Sequence, residues 1–172
     1  LQEKYDKLST PKRDKLNLLN SSSVESYLKK NNFDVIIHCG VTLTSIEQNL
    51  KMYFNIEKLS NSYGKLICIG SGAEFDGKNY IPKMKEDYFN KYIPSKSDIY
   101  GYSKYEIAKD ILKRKRNIYN LRVFGIFGNG SKNCVSFCIL FAIFSSLSLD
   151  NVQRVLVSSI PRKSPHPFHS CL

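Results

Sequence analysis

The sequence predicts an α/β protein built on a doubly wound parallel sheet. Two short apolar runs, at residues 35–39 and 66–69, lack the alternation of half-exposed strands, which is typical of parallel strands buried on both faces. Segments with apolar residues at helical spacing separate the runs, and a glycine follows each run directly. Helices that alternate with buried parallel strands favour a sheet covered by helices on both faces.

The composition is that of one folded domain. A length of 172 residues falls within the usual range for a single core. Hydrophobic residues make up 42% of the chain and charged residues 24%, which argues against extensive disorder.

The first half of the chain predicts helix, strand and helix in turn. Ser22 followed by Glu25 is a capping-box pattern, and a short helix is predicted over residues 24–30. The first buried strand is residues 35–39, and Gly40 ends it. Apolar residues then recur at helical spacing from residue 45 to about residue 62, with Gly64 at the exit.

The second buried strand, residues 66–69, opens the part of the chain that is expected to carry the site. Residues 73–97 are predicted to form a long surface loop, and loops of this length are usually functional. A helix follows at about 99–115, and a third strand at 120–124. Because such sheets bind ligands beyond the carboxyl ends of their strands, the site is expected at residues 39–42, 71–75 and 125–128.

Residues 131–172 differ in character from residues 1–130. They are rich in Ser and Pro and contain a single acidic residue, Asp150. We predict an irregular C-terminal tail, in which residues 152–157 alone have the pattern of a strand.

The charge balance is basic but dispersed. The 26 Lys and Arg residues outnumber 15 Asp and Glu and give a formal net charge of +11. The one dense run, residues 113–116, falls at the end of a predicted helix, where cations oppose the C-terminal dipole. This favours a solvated basic surface over a polyanion site. No nucleic-acid partner is predicted, since such a binder would need its charge gathered on one face.

The five cysteines favour reduced thiols and a cytoplasmic location. Cys39 and Cys68 lie in apolar runs, where Cys behaves as a small buried hydrophobe. Cys134 and Cys138 stand four positions apart, but the later histidines lie in a Pro-rich segment, so no metal site is predicted.

Membrane association is not predicted. The first 20 residues contain no apolar signal segment. The apolar run at 134–149 is shorter than the ~20 residues of a spanning helix, so we interpret it as a buried segment.

The most informative motif is a tyrosine four residues before a lysine, Tyr100 and Lys104, at the start of the third helix. Residues at this spacing share one helical face. A nearby ammonium favours the phenolate form of tyrosine, so the pair can pass a proton to or from a substrate hydroxyl. Taken alone, the spacing would also occur by chance in a chain with 11 tyrosines.

Ser71 supplies the context for that pair. It ends a predicted buried strand, where its hydroxyl could bond the same ligand oxygen that Tyr100 protonates. The alternative is that Ser71 and Gly72 merely form the turn.

Three segments together resemble a known family. They are Ile69 to Phe75, then Tyr100 to Lys104, which begins 29 positions after Ser71, and Asn120 to Gly125. In this order they resemble the extended short-chain dehydrogenase/reductases, and within them the NAD-dependent epimerase/dehydratase group that acts on nucleotide sugars. The resemblance covers about residues 16–128 and implies a Rossmann-like fold.

The resemblance implies an enzyme and its catalytic residues. Ser71, Tyr100 and Lys104 would form the catalytic triad, with NAD or NADP exchanging hydride with a sugar carbon while Tyr100 relays the proton. The substrate would be a nucleotide sugar. A homodimer, paired through helices that include the one with Tyr100 and Lys104, is also implied.

The resemblance further implies a set of cofactor-binding positions. Asn17 stands where the family usually places an Asp against the adenine ring, and Asn keeps hydrogen bonding while losing the charge. Asn49 matches a helix position where the family carries Asn. The complete cofactor-binding set implied by the resemblance is Asn17, Cys39, Gly40, Val41, Asn49, Tyr100, Lys104, Phe124 and Gly125.

The chain departs from the family pattern at both ends. The family opens with a strand and a Gly-rich turn that binds the pyrophosphate, and no such fingerprint is present here. We therefore expect residues 1–130 to form a partial dinucleotide-binding domain, incomplete at its N-terminus, and the chain to be a fragment that binds NAD weakly or not at all. Residues 131–172 are expected to form an atypical tail.

The motif after Ser71 narrows the reaction. Family dehydratases carry an Asp-Glu pair directly after the catalytic hydroxyl residue, and Gly72 and Ala73 stand there instead. Epimerisation or keto reduction therefore remain. Glu74 and Asp76 are expected on a solvated loop face rather than in catalysis. A different class of function, a non-catalytic Rossmann-like binding module, remains the alternative, and an upstream Gly-rich turn would favour the enzyme.

Overall fold

The computed structural model describes residues 7–79, 81, 86–113, 117–123 and 154–158. In these ranges five strands form one parallel sheet in the order β1-β5-β2-β3-β4. The strands are β1 (Lys7–Ser9), β2 (Val35–His38), β3 (Lys65–Ser71), β4 (Ile118–Val123) and β5 (Arg154–Ser158). The α-helices are α1 (Ser21–Asn31), α2 (Ile46–Glu57) and α3 (Ile99–Lys113), and the 3-10 turns are Ser60–Ser62, Gly72–Glu74, Gly77–Asn79 and Glu86–Asn90.

Helix α1 begins earlier than the sequence predicts. Its N-cap is Asn20, whose side-chain oxygen accepts a hydrogen bond from the Ser23 amide at 3.1 Å. The predicted capping box of Ser22 and Glu25 is therefore wrong, and Glu25 instead pairs with Lys29 one turn later. Asn is as good an N-cap as Ser, and Asn20 stands two residues before Ser22.

Helix α2 is capped by Ser45, where the predicted helical spacing starts, but it ends sooner than predicted. The Ser45 hydroxyl accepts from the Gln48 amide at 3.2 Å, and the helix stops at Glu57 rather than near residue 62. The chain must turn there to enter β3, and Gly64 passes so close to β2 that an added Cβ would lie 2.5 Å from the Asp34 carbonyl oxygen.

The core lies between the sheet and the three α-helices. Ile36 is in register with Leu66 on one side and with Leu156 on the other, and all three are buried. Residues of all three helices pack on this face: Val24, Leu28, Met52, Tyr53, Ile56, Ile107 and Ile111. Val35, Ile37 and Ile67 point to the opposite face and are also buried, so both faces of the central strands are covered, as predicted for a parallel sheet.

Strand β5 comes from the segment that the sequence predicts to be an irregular tail. It lies inside the sheet, parallel to β1 on one side and to β2 on the other. The strand-like pattern at 152–157 was the sequence signal for it. The short strand β1 has no clear sequence signal.

Candidate functional site

The carboxyl end of β3 presents Ser71 on a tightly bonded turn. The Ser71 hydroxyl accepts a hydrogen bond from the Ala73 amide at 3.2 Å, and the Ser71 amide donates to the Glu74 carboxylate at 3.0 Å. These reciprocal bonds form a capping box over the Gly72–Glu74 turn. Ser71 and Gly72 thus do form a turn, as the alternative interpretation of Ser71 states. Ser71 also stands at the sheet edge that the sequence predicts.

Helix α3 starts directly against this turn. Asp98 accepts a hydrogen bond from the Gly101 amide at 2.9 Å, which anchors the first turn of the helix. A Cβ at Gly101 would lie 2.5 Å from the Ala73 carbonyl oxygen. The missing side chain of Gly101 therefore lets the helix start approach the backbone next to Ser71.

Lys104 lies in the interior between α3 and β3. It is 7% exposed, and its ammonium donates to the Ile69 carbonyl oxygen at 2.5 Å, two residues before Ser71. Burial lowers the pKa of Lys104, and the neighbouring Cys68, Cys39 and Glu74 oppose that shift.

Tyr100 lies one helical turn before Lys104 and is partly exposed. The Lys104 ammonium is 5.8 Å from the centroid of the Tyr100 ring. The fold therefore brings Tyr100 and Lys104 side by side next to the end of the strand that carries Ser71. Their catalytic roles stay a prediction.

The turn after β2 holds the predicted cofactor-lining residues Cys39, Gly40 and Val41. The Cys39 amide donates to the Ser158 carbonyl at 2.8 Å, and burial raises the pKa of the Cys39 thiol to about 11. A Cβ at Gly40 would lie 2.9 Å from a Leu18 methyl carbon, so the backbone passes close to its neighbours here.

Asn49 fixes that turn relative to α3. Its side chain bonds both the amide and the carbonyl of Thr42, at 2.7 and 2.8 Å, and donates to the Ser103 hydroxyl at 3.0 Å. Asn49 is buried. In this structure it links the turn after β2 to the helix that carries Tyr100 and Lys104.

A cavity of about 80 Å³ lies beyond the carboxyl ends of β1 and β2. Arg13, residues 16–19, Thr42, Gln48 and Met52 line it. Asn17, the predicted adenine contact, is one of the lining residues, and its side-chain oxygen accepts from the Leu19 amide at 3.1 Å. Phe124 and Gly125, also predicted to bind the cofactor, lie outside the described residues.

Sequence reasoning missed the role of Glu74. The expectation of a solvated loop face is wrong for it, because Glu74 is fully buried. Its carboxylate accepts from Arg122 at 2.8 Å and from Asn120 at 3.0 Å. Asn120 and Arg122 alternate along β4, and two polar residues on one face of a predicted strand were the signal for a polar partner at the neighbouring strand. This cluster ties the Ser71 turn to β4.

His38 is the second residue that sequence reasoning missed. It is 2% exposed, its Nδ1 lies 3.1 Å from the Ser158 hydroxyl, and its Nε2 has no partner among the described residues. Burial lowers the pKa of His38 to about 3, and the charge of Lys104 adds to that effect. His38 is therefore neutral at physiological pH.

The searches for a metal site and for a membrane-spanning helix cover only the described residues. There, no three His, Cys, Asp or Glu side chains converge in a way that could hold a metal ion. None of the helices in those ranges has the length and apolar character needed to span a bilayer. The apolar run at 134–149 and the basic residues 114–116 lie outside them.

Comparison with protein families gives one match over most of the chain. The model of the NAD dependent epimerase/dehydratase family matches residues 2–140. No curated protein matches the chain in sequence.

Three solved structures with a similar fold come from Campylobacter jejuni. A GDP-D-glycero-L-gluco-heptose synthase, solved in the presence of NADPH, is 20% identical, with a TM-score of 0.57 over 69% of this chain and 39% of its own. A GDP-mannoheptose C4 reductase with NADP bound is 20% identical, with a TM-score of 0.58 over 69% of this chain and 43% of its own. A GDP-6-OMe-4-keto-L-xylo-heptose reductase is 19% identical, with a TM-score of 0.56 over 69% of this chain and 38% of its own. The chain thus spans about two fifths of the length of these proteins.

Proposed function

The chain belongs to the NAD-dependent epimerase/dehydratase family, and on that premise we propose that it is an epimerase or keto-reductase of a nucleotide sugar that uses NAD or NADP. One observation carries the proposal. The ammonium of Lys104 is bonded to the Ile69 carbonyl, two residues before Ser71, and lies beside the ring of Tyr100. A hydroxyl, a phenol and a cation thus come from two neighbouring elements at the carboxyl edge of the sheet, where such folds bind ligands.

Ser71 is suited to hold the reacting oxygen of the sugar. Its hydroxyl oxygen accepts a hydrogen bond from the Ala73 amide, so the hydroxyl proton is available to donate to a substrate carbonyl or alkoxide. Because the capping box fixes the turn, this donor is oriented before substrate binds, and a preorganised donor stabilises charge that develops on that oxygen.

Tyr100 is the proposed proton relay and Lys104 its electrostatic partner. The partly exposed phenol can reach a bound substrate, whereas the ammonium is held in the interior by the Ile69 carbonyl. In this role Tyr100 accepts a proton from a sugar hydroxyl or returns one to a carbonyl, with the Lys104 ammonium 5.8 Å from the centroid of its ring.

The residues at this edge fit a dinucleotide. The cavity has apolar walls from Leu16, Leu18 and Met52 and polar groups from Asn17 and Thr42, which suits a purine ring. When bound, the nicotinamide supplies or accepts the hydride. The dinucleotide would run from the cavity to Lys104 along the turn after β2, which is made of Cys39, Gly40 and Val41. Asn49 would hold this turn in place.

Nucleotide sugar is the proposed substrate class. The three similar solved proteins are named for GDP-linked heptoses, and two of them were solved with NADP or NADPH. The free thiols of Cys39 and Cys68 support a reducing compartment, the cytoplasm.

A homodimer is proposed as well. Leu112 is 69% exposed on α3, the helix that the resemblance places in the dimer interface, and Phe54 is 39% exposed on the adjacent α2. An exposed apolar helix face is typical of an interface.

The test measures hydride transfer from NADPH to a panel of 4-keto nucleotide sugars. The rate is read from the loss of NADPH absorbance. Tyr100→Phe should lower kcat by about 100-fold or more, since it removes the acid–base group. Tyr102→Phe is the matched control, because it changes the same residue type two positions along the same helix, and it should keep the wild-type kcat. Equal, measurable rates for Tyr100→Phe and the wild type would contradict the proposal.

A further inference from the structure

Glu74 lies directly behind the turn that carries Ser71. It is fully buried, so its carboxylate does not reach a bound substrate. Its Oε1 accepts from the Ser71 amide at 3.0 Å and from the Asn120 side chain at 3.1 Å. Its Oε2 accepts from Asn120 at 3.0 Å and from Arg122 at 2.8 Å. Both carboxylate oxygens therefore join the Ser71 turn to β4.

The surroundings hold the two β4 partners of Glu74 in place. The guanidinium carbon of Arg122 lies 4.8 Å from the centroid of the Phe75 ring. A Cβ at Gly70 would collide with a Glu74 carboxylate oxygen and with Oδ1 of Asn120, so the missing side chain of Gly70 makes room for both. Charge-assisted hydrogen bonds at both oxygens then restrict the carboxylate to one orientation.

The Ser71 hydroxyl is the group that this network orients. The Glu74 carboxylate fixes the Ser71 amide, and the Ala73 amide donates to the Ser71 hydroxyl oxygen at 3.2 Å. The same turn therefore sets both the backbone and the side chain of Ser71. Such control matters for chemistry, because a misplacement of about 1 Å in a reacting group can lower a rate about 100-fold.

We propose that Glu74 is a positioning residue, anchored by β4, that holds the Ser71 hydroxyl in the orientation in which it bonds the reacting oxygen of the sugar. This inference rests on the proposed function, since it assumes that Ser71 contacts the substrate. It goes further by making the placement of that hydroxyl depend on a buried carboxylate and on side chains of a different strand.

Hydrogen exchange of the Ala73 amide, followed by NMR, tests the placement without substrate. This amide donates to the Ser71 hydroxyl, so its exchange rate reports how firmly the hydroxyl is held. Glu74→Gln keeps the shape of the side chain but loses its charge and one acceptor oxygen. It should speed the exchange of the Ala73 amide at least about tenfold.

Steady-state kinetics test the effect on catalysis. Glu74→Gln should lower kcat by about 10- to 100-fold and change KM for the sugar by less than about threefold, because the bond from Ser71 strengthens in the transition state. In a Ser71→Ala background there is no hydroxyl to position. The same substitution should therefore lower kcat no further in that background.

Glu57→Gln is the matched control, because it makes the same change at another buried carboxylate. Glu57 is the last residue of α2, which leaves the carboxyl edge of the sheet after β2 and ends before β3 begins. It therefore lies far from the Ser71 turn. Its substitution should leave both kcat and the exchange of the Ala73 amide unchanged, even where it lowers the stability of the whole protein.

Asn120→Ala is the milder variant, and it decides the question if Glu74→Gln does not fold. It keeps the pair of Glu74 and Arg122, and the Asn120 oxygen that it removes has no partner among the described residues. The looser carboxylate should speed the Ala73 exchange and lower kcat by about threefold or more.

The outcomes separate this inference from the proposed function. Unchanged Ala73 exchange or wild-type kcat in the Glu74 variant would overturn the role of Glu74 and leave the proposed enzyme intact. Equal effects in Glu57→Gln, or an equal loss of kcat in the wild-type and Ser71→Ala backgrounds, would do the same. Wild-type kcat in Ser71→Ala alone would instead overturn the proposed role of Ser71, and this inference with it.

Discussion

Burial determines the protonation state of His38. Its neighbours in the sheet, Cys68 and Ser158, are weakly polar, its ring bonds Ser158, and the positive charge of Lys104 on α3 also lowers its pKa. A second positive charge in this interior is unfavourable, so the folded protein holds His38 neutral. A histidine with this environment serves the packing of the sheet edge rather than proton transfer.

The pH dependence of stability should report this histidine. The pKa of His38 is about 3 in the fold against 6.5 for an exposed histidine, so the unfolded chain takes up the proton first as the pH falls. The stabilisation is therefore complete above pH 6.5 and is lost between pH 6.5 and 3. At pH 5 the free energy of unfolding should be lower by about 2 kcal/mol than at neutral pH.

Urea unfolding at pH 7.5 and pH 5 measures this loss. His38→Gln cannot titrate, so the difference between the two profiles isolates the histidine. Parallel profiles for the wild type and the variant would show that burial does not control its ionisation.

Glu74 and Arg122 show why single residues were misjudged from the sequence. They are 48 positions apart, and each is a charged residue of a type that usually lies on the surface. Arg122 also lies over the rings of Phe75 and Phe89, at 4.8 and 5.2 Å. The ion pair exists because β3 and β4 are adjacent, and that adjacency is not encoded in either local segment.

At the scale of elements, the contact between α3 and the Gly72–Glu74 turn sets the geometry of the site. The helix carries Tyr100 and Lys104, and the turn carries the groups that orient Ser71. Gly101 lies at their contact, where an added Cβ would lie 2.5 Å from the Ala73 carbonyl oxygen. The helix can lie this close because position 101 has no side chain.

Gly101→Ala should therefore destabilise the protein although alanine favours helices. Alanine at an unrestricted helix position gains about 0.5–1 kcal/mol over glycine. Here the backbone oxygen cannot move out of the way easily, so we expect a loss of about 1–3 kcal/mol in the free energy of unfolding.

Gly77→Ala is the matched control, since no atom lies within 4 Å of the added Cβ. Chemical denaturation of both variants makes the comparison, and the control should stay within about 0.5 kcal/mol of the wild type. A stabilised Gly101→Ala protein would mean that α3 does not approach the turn as described.

At the scale of the whole molecule, the sheet is completed by a strand from far along the chain. Ser158 and His38 are bonded across 120 positions, and β5 separates β1 from β2. Without β5 the short strand β1 would have no neighbour in the described sheet. The stability of the domain should therefore depend on a strand that lies within the Ser- and Pro-rich C-terminal part of the chain.

Leu156→Ala tests that dependence. Leu156 is 1% exposed in the core, in register with Ile36. Removing its methyl groups should cost about 2–5 kcal/mol.

Leu43→Ala removes the same atoms from a side chain that is 62% exposed, and should change stability by less than about 0.5 kcal/mol. Thermal and urea unfolding of the pair measure the difference. Equal stability of the two variants would show that β5 does not belong to the core.

The sequence by itself determined the buried strands around residues 35–39 and 66–69, the helix of Tyr100 and Lys104, and the edge at which Ser71 stands. These features depend on local periodicity and on spacings of a few residues, which a single segment contains. Tertiary structure alone decided the burial of Glu74 and His38, the closeness of Gly101 to Ala73, and the place of β5. Each of these depends on which distant segments become neighbours, and the free energy of those contacts is absent from any one segment until the sheet assembles.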